Sequence, residues 1–350
     1  MRSLTGWPHR AFARVETLAR SVSSPGSWSP SWAGPWRRSS AEADPKRNGP
    51  RIAVLGNCQA DGIARALALL LPDARVTLVP LATLRRDHAT LARLHHHLAP
   101  FDHVFSQFFP QGFIAGGNVH ALARNDGRVR LYPTILFPAF HPDMVHVGDV
   151  SALSAARLVH SPMGPYHSAI GLCAYLEGRT VDETLALFRD DVFARLGYYD
   201  AWIDASAYLL GSARDIDFPL DAELARWARR GCFMHVLNHP KFFVLADLAR
   251  RLAREAGLAP LDLAAEDYLA DDLVADAVWP LYPEIAQRYG LAGTVHFKPK
   301  ERDGAAPVLL DRDAYIAGSF TAYARYPVES LACPRVAAWR GDPAVRAMFS

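Results

Sequence analysis

The segment Arg51-Ile52-Ala53-Val54-Leu55 runs into Gly56-Asn57-Cys58-Gln59, and the residues after it, Ala60 to Leu70, carry apolar side chains at helical spacing. A short apolar run, a tight polar turn and an amphipathic helix make a buried strand feeding a helix. The unit recurs. Arg75–Val79 reads as a second strand, Leu84–Leu98 as a helix, Asp102–Ser106 as a third strand, and Arg128–Phe137 as an apolar stretch interrupted by Pro133. Strands alternating with helices predict an α/β fold, mainly a parallel sheet with flanking helices. In open sheets of this class ligands bind beyond the carboxyl ends of the strands. Cys58 and the pair Ser106-Gln107 are both expected at such ends, lining one cleft.

Further along, Ser168–Glu177, Thr180–Leu196, Asp200–Leu210 and Asp221–Arg230 have helical patterns, so residues 151–230 read as a helical insertion. Thr180 and Glu183 have the spacing of a capping box. Cys232–Leu237 returns to strand and leads through Asn238-His239-Pro240-Lys241 into a helix over Phe242–Ala256, ended by Gly257. Residues 1–49, rich in Ser, Pro, Trp and Arg, bury too little apolar surface to offset their ordering entropy, and are expected to form a disordered extension before one α/β domain over 50–350. The basic stretch Met1–Arg20 faintly resembles an organelle transit peptide; a disordered extension is the preferred reading.

Composition excludes several functions. A formal charge of +2 is too small for nucleic acid or an anionic membrane to be the main partner, and no apolar run is long enough for a transmembrane helix. Cys58, Cys173, Cys232 and Cys333 form no CxxC pair, which fits free thiols in a cytoplasmic protein. No metal site is expected: consecutive residues such as His95-His96-His97 point in different directions on a helix.

Two turns remain as carriers of chemistry. A thiol at a helix N-terminus meets free N–H groups and a favourable dipole, which lower its pKa and stabilise a thiolate or oxyanion. His239 follows a predicted strand and opens a predicted helix, with Pro240 suited to the first turn. Cys58 and His239 then read as nucleophile and base, within hydrogen-bond reach of one another. A buried structural Cys and a His that merely packs fit the same residues.

Gly56-Asn57-Cys58-Gln59 followed far downstream by Asn238-His239-Pro240 resembles the WcbI family of capsular polysaccharide biosynthesis enzymes. Gly164-Pro165-Tyr166-His167-Ser168, Asp267–Leu273 and Val278–Pro283 fit the same resemblance, which spans roughly residues 50–325. A more distant echo is the SGNH esterases and acetyltransferases, from which the chain departs in having Cys58 for Ser and Val236 at the place of the Asp. The resemblance implies Cys58 and His239 as the catalytic pair, with Gly56, Asn57, Gln59, Ser106, Gln107 and Asn238 as oxyanion or substrate-binding residues. Tyr166, His167 and Ser168 open a predicted helix and would line the acceptor pocket or simply cap that helix. It also implies coenzyme A or acetyl-coenzyme A as donor, its phosphates met by Lys241, Lys298 and Lys300, with Arg302; a solvated basic loop is the alternative reading of Lys298, Lys300 and Arg302. A sugar, nucleotide-sugar or polysaccharide would be the acceptor. The activity so implied is O-acetyl transfer; an acyl esterase and a non-catalytic nucleotide- or sugar-binding module are the alternatives.

Overall fold

In the computed structural model, which describes residues 48–149, 158–301 and 306–350, β1 (Arg51–Gly56) is buried on both faces. Its alternation is the period of a strand. Ile52 and Val54 enter the larger core, while Ala53 and Leu55 enter a second core on the opposite face. The larger core receives α1 (Cys58–Leu70); the second receives α2 (Leu81–Asp87), α3 (Leu91–Leu98) and α4 (Val119–Asn125).

β1 pairs in parallel with β2 (Arg75–Pro80) on one side and β3 (His103–Ser106) on the other, and β4 (Val129–Leu131) extends the β3 side. The order β2-β1-β3-β4 reverses direction between β1 and β3. The loops leaving these two strands therefore diverge, opening a crevice at their carboxyl ends. This is the expected α/β architecture, and the Cys58 turn and Gln107 both sit at that crevice.

The helix expected over Leu84–Leu98 is two helices. Thr90 accepts the Arg93 N–H at 3.2 Å and starts α3 anew, since a cap satisfies N–H groups that the preceding helix cannot. The Arg128–Phe137 stretch keeps a strand only to Leu131, because Pro133 brings no N–H to a ladder.

The chain continues through the short pair β5 (Met144–Val145) and β6 (His167–Ser168), α5 (Ala169–Leu176), α6 (Val181–Leu185), α7 (Asp190–Arg195), α8 (Ala201–Arg214) and α9 (Asp221–Arg229). The capping box of Thr180 and Glu183 is present, but the helix it starts stops at Leu185. Residues 1–47, 151–157 and Arg302 of the sequence expectations lie outside the described residues.

β7 (Met234–Val236) corrects one expectation. It joins not the parallel sheet but an antiparallel pair with β8 (His239–Pro240), irregular between Met234 and Val236. α10 (Phe242–Glu255) follows and packs on α1, where Gly62 is required: a Cβ there would stand 2.4 Å from Leu245 Cδ1. Gly257, at φ +77°, ends α10 as expected. α11 (Pro283–Arg288), α12 (Arg312–Tyr323) and α13 (Pro334–Gly341) complete the larger core, which runs from Ile52 to Phe349.

Candidate active site

The turn after β1 is built from its own residues. Asn57 takes the extended conformation of an N-cap, and its Oδ1 accepts the Gln59 N–H at 3.0 Å. Gly56 admits the neighbours that hold the turn: a Cβ there would lie 2.5 Å from both Gln107 Oε1 and Tyr132 Oη. Gln107 Oε1 accepts the Asn57 N–H at 2.7 Å, and the Tyr132 hydroxyl donates to Leu55 O at 2.9 Å. Cys58 opens α1, so its N–H has no carbonyl earlier in the helix to bond and is aimed past the helix end.

Gln59 connects this turn to the one that carries His239. Its fully buried amide donates to Ile135 O and to Asn238 O, both at 2.9 Å, and accepts from the Ile135 N–H at 3.0 Å. Phe137 N–H adds a bond of 2.8 Å to Leu237 O. The segment after β4 thus lies between the two turns and binds both. This tie, rather than a strand of the same sheet, sets the His239 turn beside the Cys58 turn.

The second turn is held from a distance. Asp271 Oδ2 accepts from His235 Nε2 at 2.8 Å and from Phe242 N–H at 2.9 Å, joining β7 to the start of α10. Burial raises the Asp271 carboxyl, but His235 and the N–H groups of Phe242 and Leu273 bring it below its ordinary value. Tyr166 packs edge-on to the His239 ring, with centroids 6.4 Å apart, and its hydroxyl donates to Asn238 Oδ1 at 3.0 Å.

The electrostatics differ from the sequence expectation for the thiol. Cys58 is pushed up to about 12, first by burial and then by the Asp276 carboxylate, against the pull of the N–H groups of Cys58 and Gln59. The helix start is outweighed, and the thiol is protonated at neutral pH. His239 is fully buried and lowered to about 4, chiefly by burial; Asp276 and Asp271 pull the other way, while His235 and Lys300 add to the lowering. Its imidazole is neutral at pH 7. Burial also holds the Tyr166 hydroxyl well above its ordinary value, with Asp276 and Cys58 adding to the rise. Asp276 thus acts on Cys58, Tyr166 and His239 together.

Gly56, Asn57, Cys58, Gln59, Gln107, Asn238 and His239 are brought to one place, with Gln59 and Gln107 serving as internal ties. Ser106 is buried beneath them, its hydroxyl donating to Gln107 O at 2.9 Å. His167 and Ser168 are engaged elsewhere. The His167 ring nitrogens meet Tyr323 Oη at 3.0 Å and Val159 O at 2.9 Å, while Ser168 Oγ caps α5 by accepting the Gly171 N–H at 2.9 Å. It is Tyr166, one residue earlier, that meets Asn238 and His239.

Of the lysines, Lys298 is committed to the loop of Asp276: its ammonium donates to Val274 O at 2.6 Å and Asp276 O at 3.1 Å, and pairs with Glu301 at 3.0 Å. Lys300 is exposed, and its charge acts on His239. Lys241 is partly buried at the start of α10, its charge acting on His141 and Cys232. Within the histidine run, His95 approaches Asp126 at 3.6 Å while His97 stacks on His88 with centroids 4.3 Å apart.

Sequence reasoning missed Asp276 and Tyr132, and did not set Tyr166 apart from His167 and Ser168. Asp276 lies between Asp267–Leu273 and Val278–Pro283, the two stretches already singled out, and a carboxylate there was the available signal for the group that Val236 does not supply.

The family model of the polysaccharide biosynthesis enzyme WcbI matches residues 51–261. No curated protein matches the sequence. A solved structure of WcbI, described as a novel polysaccharide biosynthesis enzyme, native and without a disulfide bond between coenzyme A and one of its own cysteines, aligns with a TM-score of 0.56 at 15% identity; the alignment covers 86% of this chain and 98% of that one. At that identity the likeness is one of fold. The family match takes in both turns of the site and more than half of the sequence, and the chain belongs to the WcbI family of polysaccharide biosynthesis enzymes.

Proposed function

We propose that this chain is an O-acyltransferase, moving an acetyl group from acetyl-coenzyme A to a sugar hydroxyl during capsular or other surface polysaccharide assembly in the cytoplasm. The single observation that carries the reading is a buried, neutral His239 on a turn that Gln59, through the Asn238 carbonyl, ties to a helix N-terminus at the sheet's switch point. Acyl transfer to an alcohol needs a base for the hydroxyl proton and donors for the oxygen that gains charge. His239 is the base, and the Cys58 N–H with the Asn57 and Asn238 amides supplies the donors.

Direct attack fits this chemistry. His239 takes the hydroxyl proton as the alcohol oxygen bonds to the thioester carbonyl carbon. Collapse of the tetrahedral species breaks the carbon–sulfur bond, and the thiolate of coenzyme A leaves with that proton or one from water. An acyl-enzyme on Cys58 would begin from a thiol held up to about 12, a poor starting nucleophile unless His239 removes its proton in the same step. The WcbI structure's description names coenzyme A and a cysteine of that protein, without a disulfide bond between them, and this supports coenzyme A as the donor. Lys300 and Lys241 are the cations that would meet the donor's phosphates.

Calorimetric titration with coenzyme A and acetyl-coenzyme A, followed by acetyl transfer to sugar acceptors, tests the reading. Binding of both and retention of turnover by Cys58→Ala are expected. Absence of binding would overturn the transferase assignment, and an acetylated Cys58 in a competent intermediate would replace direct attack.

A further inference from the structure

The two asparagines of the site share a device. Asn57 Oδ1 is turned inward onto the Gln59 N–H at 3.0 Å, and Asn238 Oδ1 is turned inward onto the Tyr166 hydroxyl at 3.0 Å. A primary amide has an acceptor end and a donor end set at about 120° to each other, so tying down the oxygen sends the NH2 the other way. Among the described residues neither Nδ2 donates to a protein group, and neither is among the buried polar atoms lacking a partner. Both NH2 groups therefore point away from those partners and are left open to a ligand. Asn238 as a whole is only 5% exposed, so what it shows to the cleft is this donor end.

Tyr166 decides the matter for Asn238. Its ring is 2% exposed, held between His146, with centroids 5.3 Å apart, and His239. The buried hydroxyl hydrogen needs an acceptor, and Asn238 Oδ1 takes it. Were the amide reversed, the hydroxyl would lose that acceptor. The amide oxygen would then face the cleft that also feels the Asp276 carboxylate.

We propose that Tyr166 is a positioning residue that locks the Asn238 amide with its NH2 toward the cleft, so that Asn238 hydrogen-bonds the oxygen gaining negative charge at the reacting carbonyl. The inference rests on the acyl-transfer reading above. Tyr166 touches no reacting atom in this scheme; it acts through Asn238, and the two should behave as one unit.

A double-mutant cycle reads that coupling. With acetyl-coenzyme A and a competent sugar acceptor, Asn238→Ala should lower kcat about 100-fold, as for loss of one oxyanion donor. Tyr166→Phe, which keeps the ring and its packing, should lower kcat about tenfold with KM for the donor unchanged. In the Asn238→Ala background, Tyr166→Phe should cost nothing further. Multiplicative losses, or an unchanged kcat in Tyr166→Phe, would overturn the proposal. Asn238→Asp keeps an acceptor for Tyr166 and removes the donor; it should melt as the wild type does and still lose kcat as Asn238→Ala does. Normal turnover by Asn238→Asp would overturn the proposal even where Tyr166→Phe fails to fold. A wild-type chain that transfers no acyl group would instead sink the acyl-transfer reading, and so separates the two failures.

Discussion

The turn at Cys58 and the turn at His239 each join a strand to a helix, yet they are held by opposite means. The first is local: Asn57 caps its own helix, and β1 pairs in parallel with β2 over its whole length and with β3 over Ile52–Leu55. The second rests on a ladder only two residue pairs long, and its shape comes from Asp271, Tyr166 and Gln59, all remote in sequence. Local hydrogen bonds tolerate change elsewhere in the molecule. Remote ones make the base of the proposed site depend on the integrity of the whole core.

The largest difference should be seen with acid. His141, His167 and His239 are buried, and each is lowered by burial from 6.5, to about 3, about 3 and about 4. Each binds its proton more readily in the unfolded chain. Their contribution to stability is whole above about pH 6.5 and is lost as pH falls, for His239 toward 4 and for His141 and His167 toward 3. The melting temperature should fall steadily below pH 6.5, with each of these histidines taking up a proton on unfolding. Hydrogen exchange should quicken first around His239 and last around β1. A melting temperature flat between pH 6.5 and 4.5 would show that these rings stay protonated when folded.

Gln59→Ala cuts the tie between the turns. It orphans buried backbone groups of Ile135 and Asn238, at about 1–3 kcal/mol each, so chemical denaturation should show a loss of about 3 kcal/mol. A loss near zero would mean that the two turns stand independently.

Asp271→Ala should cost about 2 kcal/mol, since it strips His235 and the Phe242 N–H of a charged acceptor. Exchange should rise over residues 234–244 and leave 56–62 protected. Equal loosening of both would erase the distinction between local and remote support. Asn57→Ala, the loss of an N-cap, should cost about 1 kcal/mol, with faster exchange confined to the first turn of α1. Spread to the His239 turn would show that the Cys58 turn is less self-contained than its hydrogen bonds indicate.

Much of the fold was legible because its information is periodic. The β1 alternation, the helical spacing of α1 and α10, and the Thr180–Glu183 box are short-range patterns, and each is found where expected. The errors came where a local interaction competes with periodicity. Thr90 caps a new helix inside a continuous helical pattern, and Cys232–Leu237 has the composition of a strand in the main sheet but pairs with β8. Within the site, Asn57 and Cys58 could be placed from a strand-turn-helix pattern. Tyr166 could not be told from His167, because which of two neighbours faces a cleft depends on what packs behind them.

What the amino-acid order determined alone is therefore the parallel βα core and the thiol at the head of its first helix, since strand period, capping and turn chemistry act over a few residues. Only the tertiary structure decided the state of the reactive groups. The desolvation that keeps the Cys58 thiol protonated and the His239 imidazole neutral is the sum of burial by segments far apart in the chain. The Asp276 carboxylate that acts on both arrives from a loop that no local pattern links to either.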